Sequence, residues 1–324
     1  MVGQVGTFEH QGHVIALSGG VGGAKLSLGL SQILAPGQLS IVVNTGDDFE
    51  HLGLPISPDV DTTLYTLGNV QNPETGWGRE NESWACLETL EELGGDTWFR
   101  LGDRDIATHL LRLSLLKEGK SLSEATASLA KALGIGHAIL PMSDDPVRTF
   151  VTTPDGDLPF QEYFVKLQCA PEARSFRFEG IGTARPSAGF QSGLDDPSLS
   201  GVVICPSNPF VSVDPILDLP GIRQKLKQDH VKVIAVSPIV GGQALKGPAA
   251  KMMAELNIPA SPSSVADHYR NILSGFVIDS VDADQAGIIE STHNIPVLVC
   301  NTVMKDLESK TALAKDTLQF LSTL

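Results

Sequence analysis

"HVIALSGGVGGAKLSLGLSQIL" (13–34) joins an apolar run to a second apolar run through four glycines and a lysine. The first run reads as a strand buried on both faces, the last as a helix, and the glycine segment as the junction between them. Such a junction presents unpaired backbone N–H groups and the positive end of a helix dipole, the place where an anion is held. Gly19, Gly20, Gly22 and Gly23 allow close backbone approach, and Lys25 adds a charge. The spacing departs from both common phosphate motifs. A P-loop counted from Gly19 needs glycine where Ala24 stands, and the dinucleotide pattern counted from Gly20 ends on Lys25. Four glycines and a lysine exceed what a tight turn needs, so the segment reads as a phosphate or nucleotide cradle.

Outward from this junction the same rhythm recurs. Short β-branched or apolar runs lie at 40–44, 201–206, 231–237, 275–279 and 295–300, each followed by a loop and a helix-like segment. The stretch 105–117 sets Ile106, Leu110 and Leu113 at helical spacing, and Ser121 with Glu124 has capping-box spacing. Strands alternating with helices predict an α/β fold with a doubly wound, mostly parallel Rossmann-like sheet. The region 137–195 breaks the rhythm with two β-like runs about "PDGD", followed by an irregular Arg- and Pro-rich stretch. It predicts an inserted smaller lobe with a β-hairpin, leaving 1–136 and 196–324 as the nucleotide-binding core. Residues 1–12 carry no Lys, Arg or apolar core segment and read as a frayed extension rather than a secretory signal.

The chain of 324 residues has a formal net charge of −15, which gives no electrostatic reason to bind nucleic acid or an anionic membrane. No apolar stretch approaches the ~18 residues of a membrane span. Four cysteines without a CxxC pair argue against a zinc site or a disulfide framework and for reduced thiols in a cytoplasmic protein. An acidic protein that handles phosphates needs local compensation, and a divalent cation supplies it.

That need is sharpest in "NTGDDFEHLGLPISPDVDTTLYTLG" (44–68), which follows the second strand and carries Asp47, Asp48, Asp59 and Asp61. In open α/β sheets, ligands bind beyond the carboxyl ends of strands, so this loop is expected to face the glycine junction. Carboxylates so close cannot all ionise cheaply without a counter-charge, whereas a hard cation such as Mg2+ takes one or two of them plus substrate phosphates. Asp59 or Asp61 taken singly is equally suited to capping the helix that follows. In "LGDRDIATHLLR" (101–112), His109 lies one helical turn after Asp105 and within reach of a substrate hydroxyl, although a lone histidine is more often structural. "LPMSDDPVRT" (140–149) suits a rigid polar loop. Ser207 and Asn208 in "CPSNPF" (205–210) suit either a base edge or phosphate, or an Asx turn. "SPIVGGQALKGPAAKMM" (237–253) repeats the glycine-lysine logic through Gly241, Gly242 and Lys246. Two such loops would embrace a ligand with more than one phosphate. Trp77, Trp84, Trp98 and Phe99 could stack a flat ring or pack in a core.

Together with "NPETGWGRE" and "FQEYFV", these blocks resemble, in order and spacing, the 2-phospho-L-lactate transferase family of coenzyme F-420 biosynthesis. The resemblance runs from about residue 13 to 310. It implies a magnesium-dependent transferase that moves a phospho-hydroxyacid group, phospholactyl or its phosphoenolpyruvyl or phosphoglyceryl analogue. The donor would be linked to guanosine diphosphate, the acceptor would be the ribityl hydroxyl of the deazaflavin Fo, and GMP would leave. It implies Asp48 and Asp61 as metal or hydroxyl-orienting residues, Asp59 next, and Asp47 lower because relatives do not all keep an acid there. His109 joins the catalytic candidates. Gly19 to Lys25, Ser207 and Asn208, and Gly241 to Lys246 would hold the donor, and the Trp77 region would line the deazaflavin pocket. The expected partners are these small molecules and a second copy in a homodimer. Two other readings stay open: a nucleotide-sugar-binding regulator of the gluconeogenesis-factor type, and an NAD-dependent oxidoreductase, against which the failed third glycine and the crowded carboxylates count.

Overall fold

The computed structural model describes residues 10–324; residues 1–9 of the expected N-terminal extension lie outside the described residues. The opening segment forms β1 (His13–Ser18) and α1 (Gly20–Ser31), followed by β2 (Leu39–Val43). A small hairpin, β3 (Phe49–His51) and β4 (Leu54–Ile56), leads into α2 (Pro58–Leu67), α3 (Ala85–Glu92), α4 (Asp103–Lys117) and α5 (Leu122–Ala132). After β5 (Ala138–Pro141) comes an antiparallel three-stranded sheet, β6 (Arg148–Thr153), β7 (Gly156–Pro159) and β8 (Ser175–Glu179), in the order β7-β6-β8. α6 (Ala188–Leu194), β9 (Leu199–Ile204) and β10 (Val233–Val236) return the chain to the core. A two-strand ladder, β11 (Ile239–Val240) and β12 (Gln243–Ala244), precedes β13 (Gly275–Asp279) and β14 (Val297–Cys300).

Seven strands form one sheet in the order β14-β13-β10-β9-β1-β2-β5, with every pairing parallel. The doubly wound Rossmann-like expectation holds. Burial on both faces explains why the strands read as continuous apolar runs. On β1, Val14 and Ala16 join the core beneath α1, α2 and the helix Leu307–Leu321, while Ile15 and Leu17 join the core on the opposite face. Strand order runs outward in both directions from β1 and β9, so the topological switch point, where such sheets bind ligands, lies between their carboxyl ends.

Two sequence expectations change. β5 belongs to the central sheet as its edge strand, and α6 packs against β1, β2 and β5. The antiparallel sheet therefore spans 148–179, narrower than the lobe expected over 137–195. Only four residues long and ending on a proline, β5 has too little apolar length to announce itself. The hairpin about "PDGD" is present as β6 and β7. Val151, Phe160 and Tyr163 join the main core, so the lobe has no separate interior.

The second change concerns α4. Ile106, Leu110 and Leu113 do not form its buried stripe: Leu110 is 53% exposed, and the inward residues are Asp105, Thr108, His109, Arg112 and Leu115. A helix that turns its polar side into the protein is serving a polar site. Helix α5 carries the expected capping box between Ser121 and Glu124.

Glycines set how closely layers approach. A Cβ on Gly29 of α1 would stand 2.2 Å from the Lys310 carbonyl oxygen on the C-terminal helix. Gly287, in the helix Ala286–His293, has nothing within 4 Å of the same atom. Gly29→Ala is expected to lower unfolding free energy by about 1–3 kcal/mol through overpacking. Gly287→Ala is expected to raise it by about 0.5–1 kcal/mol through helix propensity. Urea denaturation of the two variants checks both signs.

Candidate active site

A cleft of about 660 Å3 opens at the switch point, walled by the glycine junction, the start of α2, the inner face of α4 and the segments after β9, β10 and β14. The first wall depends on the absence of side chains. A Cβ on Gly22 would stand 2.2 Å from the Pro206 carbonyl oxygen, and one on Gly23 would strike the hydroxyls of Ser18 and Ser207. The Gly19 N–H donates to Ser207 Oγ at 3.1 Å, stitching the ends of β1 and β9 together. Gly20 takes φ +62°, which suits glycine.

Asp59 leans against this junction. Its Oδ2 accepts from Asn44 Nδ2 at 3.0 Å, and the Gly20 backbone also donates to the carboxylate. The start of α1 therefore already faces an internal carboxylate. Asp59 and Asp61 sit in the first turn of α2 and neither caps it. The N-cap residue Ser57 instead donates its hydroxyl to Asp48 Oδ2 at 2.8 Å. Asp47, Asp59, Asp61, Asp105 and His109 line the cleft, while Asp48 is held just behind. Burial is the largest influence on three of these acids. It pushes Asp48 up to about 7, Asp59 up to about 6, and Asp47 well above the carboxylate range, with the Asp59 charge adding to the effect on Asp47. Asp47 Oδ1 and Asp48 Oδ1 are buried without a hydrogen-bond partner.

Asp61 has a different environment. Its Oδ1 pairs with Arg112 Nη2, and its Oδ2 accepts from Arg112 Nη1 at 3.1 Å. The Arg112 side chain is fully buried and also donates to the Pro55 carbonyl at 3.2 Å. His109 Nδ1 lies 3.1 Å from Arg112 Nη1. A guanidinium only donates, so Nδ1 accepts and the neutral ring carries its proton on Nε2. That nitrogen stands 3.3 Å from Asp105 Oδ1, which also accepts from the Tyr65 hydroxyl at 2.5 Å. His109 Nε2 faces Asp105 without a hydrogen-bond partner, and the residue lines the cleft.

The remaining candidates divide. Gly19, Gly20, Gly22, Lys25, Ser207, Asn208 and Lys246 line the cleft, and Gly23 packs beneath it. Lys25 donates to the Met304 carbonyl at 3.1 Å, and burial, Lys310 and Lys246 lower its pKa. Asn208 Oδ1 accepts from the Phe210 N–H at 3.0 Å, an Asx turn. Gly241 and Gly242 both take positive φ in the turn between β11 and β12, and the Gly241 N–H donates to Asp282. They shape a hairpin and not a strand–helix junction, and of the three candidates in that loop only Lys246 lines the cleft, beside Leu245 and Gly247. Trp77, Trp98, Phe99, Phe160 and Phe164 also line the cleft, with the Phe160 and Phe164 rings stacked at 5.4 Å. Tyr65, Arg112 and the two phenylalanines were not singled out by the sequence. For Arg112 the available signal was its spacing three residues after His109.

Among the described residues no group of three or more His, Cys, Asp or Glu is arranged to hold a metal ion. No helix of the described residues is long and apolar enough to cross a membrane.

Residues 14–318 match the family described as 2-phospho-L-lactate transferase CofD. The chain is 38% identical over 312 residues to a phosphoenolpyruvate transferase of Streptomyces griseus, covering 94% of this chain and 97% of that one. It is 39% identical over 302 residues to a 2-phospho-L-lactate transferase of Methanococcoides burtonii, covering 93% and 97%. The solved structure of a UPF0052 family protein from Bacillus halodurans superposes with a TM-score of 0.56 at 18% identity, covering 94% of this chain and 90% of that chain. At that identity the likeness shows the fold alone.

A buried carboxyl raised above its unfolded value keeps its proton in the folded chain after the unfolded chain has lost it. The contribution of Asp48 to stability is therefore greatest near pH 4 and falls as pH rises toward about 7. Asp48→Asn is expected to stabilise the free protein at pH 8 relative to pH 5, by on the order of a few kcal/mol. Thermal melts of both proteins across that range check it. Arg112→Gln leaves Asp61 buried without its counter-charge and is expected to cost about 3–5 kcal/mol, read by denaturant unfolding.

Proposed function

The chain belongs to the 2-phospho-L-lactate transferase CofD family, and on that premise we propose that it transfers a phospho-hydroxyacid group from a guanosine-diphosphate-linked donor to the ribityl hydroxyl of the deazaflavin Fo, releasing GMP. The observation that carries this reading is that one cleft is lined together by Lys25 and Lys246, by Asp47, Asp59 and Asp61, and by Trp77, Trp98, Phe99, Phe160 and Phe164. Lysines suit a diphosphate, aromatic rings suit a flat tricyclic ring, and the carboxylates suit the hydroxyl of the ribityl chain that joins them.

In the proposed reaction the ribityl oxygen attacks the phosphorus that bears the hydroxyacid. A new P–O bond forms as the P–O bond to GMP breaks, and the hydroxyl proton leaves to a carboxylate. Such transfer depends mostly on positioning and charge neutralisation. Asp61, lining the cleft and oriented by Arg112 and His109, is the carboxylate assigned to the hydroxyl, and Asp48 supports it from behind the wall. Asp47 Oδ1 and Asp48 Oδ1, buried without a partner, are the oxygens that would take a hard cation. Asp59 Oδ2 is held by Asn44 and both Asp61 oxygens by Arg112, so those two would have to exchange partners to join them. When bound there, magnesium would neutralise charge building on the phosphate oxygens. A helix N-terminus contributes only about 0.3–1 kcal/mol, too little for a barrier reduction of ~8 kcal/mol or more. The glycine junction is therefore assigned to placing the donor.

Incubation of the protein with magnesium, Fo and each guanylylated donor is expected to give one new deazaflavin phosphodiester and GMP, identified by mass. Asp59→Asn is expected to lower kcat about a hundredfold or more. Absence of product with every donor would sink the transferase reading.

A further inference from the structure

A side chamber of about 260 Å3 adjoins the cleft, sharing Thr75, Trp77, Gly78, Arg100 and Asp105 with it. Arg79, Glu82 and Trp84 complete its charged and aromatic wall. In a chain with a net charge of −15, two arginines here have no acid within ion-pair distance among the described residues. The chamber also holds two acids, and Glu82 attracts Arg79 across more than ion-pair distance. Glu82 accepts from the Arg104 and Asp105 N–H groups at 2.8 and 2.9 Å, closing the start of α4. Asp105 accepts from Tyr65 and faces His109.

The arginines rest on aromatic faces, Arg100 at 4.8 Å from the Trp84 ring centroid and Arg79 at 5.5 Å from that of Tyr65. Arg79 has one long contact, 3.5 Å to Thr108 Oγ1, and its Nε is buried without a hydrogen-bond partner. A buried, unsatisfied guanidinium donor costs free energy that an anion would recover. The segment that presents it is built: Asn72 N–H donates to the Gly78 carbonyl at 3.0 Å, and Gln71 bridges Arg79.

We propose that Arg79 and Arg100 form the subsite for the carboxylate of the transferred acid. This inference rests on the transferase reading and extends it. A planar guanidinium matches a carboxylate in two parallel hydrogen bonds, a match that a lysine lacks. The chamber opens beside Tyr65 and Asp105, next to the Asp61–Arg112–His109 unit, and the carboxylate of a 2-phospho acid sits one carbon from the ester oxygen of the phosphorus under attack. The guanosine phosphates are assigned to Lys25 and Lys246. Phospholactate, phosphoenolpyruvate and phosphoglycerate all carry this carboxylate, so the subsite selects the class of acid and not its member.

The test compares Arg79→Gln, Arg100→Gln and the double variant with the parent chain, each first checked for an unchanged cooperative melt and unchanged binding of GDP. Phosphoenolpyruvate and inorganic phosphate are the probes, titrated calorimetrically without acceptor. The parent is expected to bind phosphoenolpyruvate more tightly than phosphate, and each variant to lose ~10-fold or more of that preference. In turnover, the KM for the donor rises while that for Fo stays unchanged. Preference retained in the double variant would overturn the subsite. So would a rise in the KM for Fo alone, which would give the arginines to the acidic ring of the acceptor. A chain that binds phosphoenolpyruvate through these arginines and transfers nothing would overturn the reaction and leave the subsite standing.

Discussion

Asp61 and Arg112 form a buried two-pronged ion pair in a crevice otherwise overloaded with carboxylates. Asp47, Asp48 and Asp59 share that crevice, and burial raises all three above the ordinary range, for Asp48 against the partial offset of the Arg148 and Arg112 charges. The pair binds α2 to α4 and, through the Pro55 carbonyl, to β4. His109 and Tyr65 extend it to Asp105. A buried ion pair of this kind is a poor source of net stability, because desolvation offsets most of the attraction. Its value is geometric, since it fixes one carboxylate while leaving the others short of charge.

That shortage is produced by the topology. Parallel strands deliver their carboxyl ends to one edge, and the reversal of strand order between β1 and β9 parts the loops there. The loops after β1, β2 and β9 then converge on one place, close enough that Gly22 stands against Pro206 without room for a methyl group. The same closeness that forms a ligand wall forces Asp59 onto the start of α1. An internal carboxylate thus lies where an external phosphate would be drawn, and the two anions are compatible only with positive charge between them.

Much of this was legible in the sequence. Six of the seven sheet strands announce themselves as apolar runs, five because both of their faces are buried and the edge strand β14 through its β-branched residues alone, and the acid-rich loop follows from its place after the second strand. β5 escaped because an edge strand of four residues carries too little signal. The inner face of α4 was misread for a deeper reason. Periodicity reports which residues share a face, and burial of the leucines is then assumed. Here Asp105, His109 and Arg112 face inward, and Leu110 and Leu111 face out. A lone arginine in a leucine-rich helix reads as a solvated charge until its partner, 51 positions earlier in sequence, is placed beside it. The pair Gly241–Gly242 misled in the opposite direction. Two glycines after a strand suggest a phosphate loop, but their positive φ values serve a two-residue hairpin turn.

The inverted helix also bears on the charge balance of the cleft. With its polar side inward, α4 presents Asp105 and His109 to the cleft and sets Arg112 behind them. Lys25 and Lys246 line the same cleft without an acid at ion-pair distance among the described residues, and burial with the neighbouring Lys310 and Lys246 lowers the Lys25 pKa. A site that holds both unneutralised lysines and protonation-prone aspartates is strained electrostatically at each. In the proposed reaction a single ligand carrying anionic phosphates, together with a cation for the aspartates, would relieve both strains at once. The free energy so released would then be available for holding donor and acceptor in line, where a reaction limited by positioning needs it.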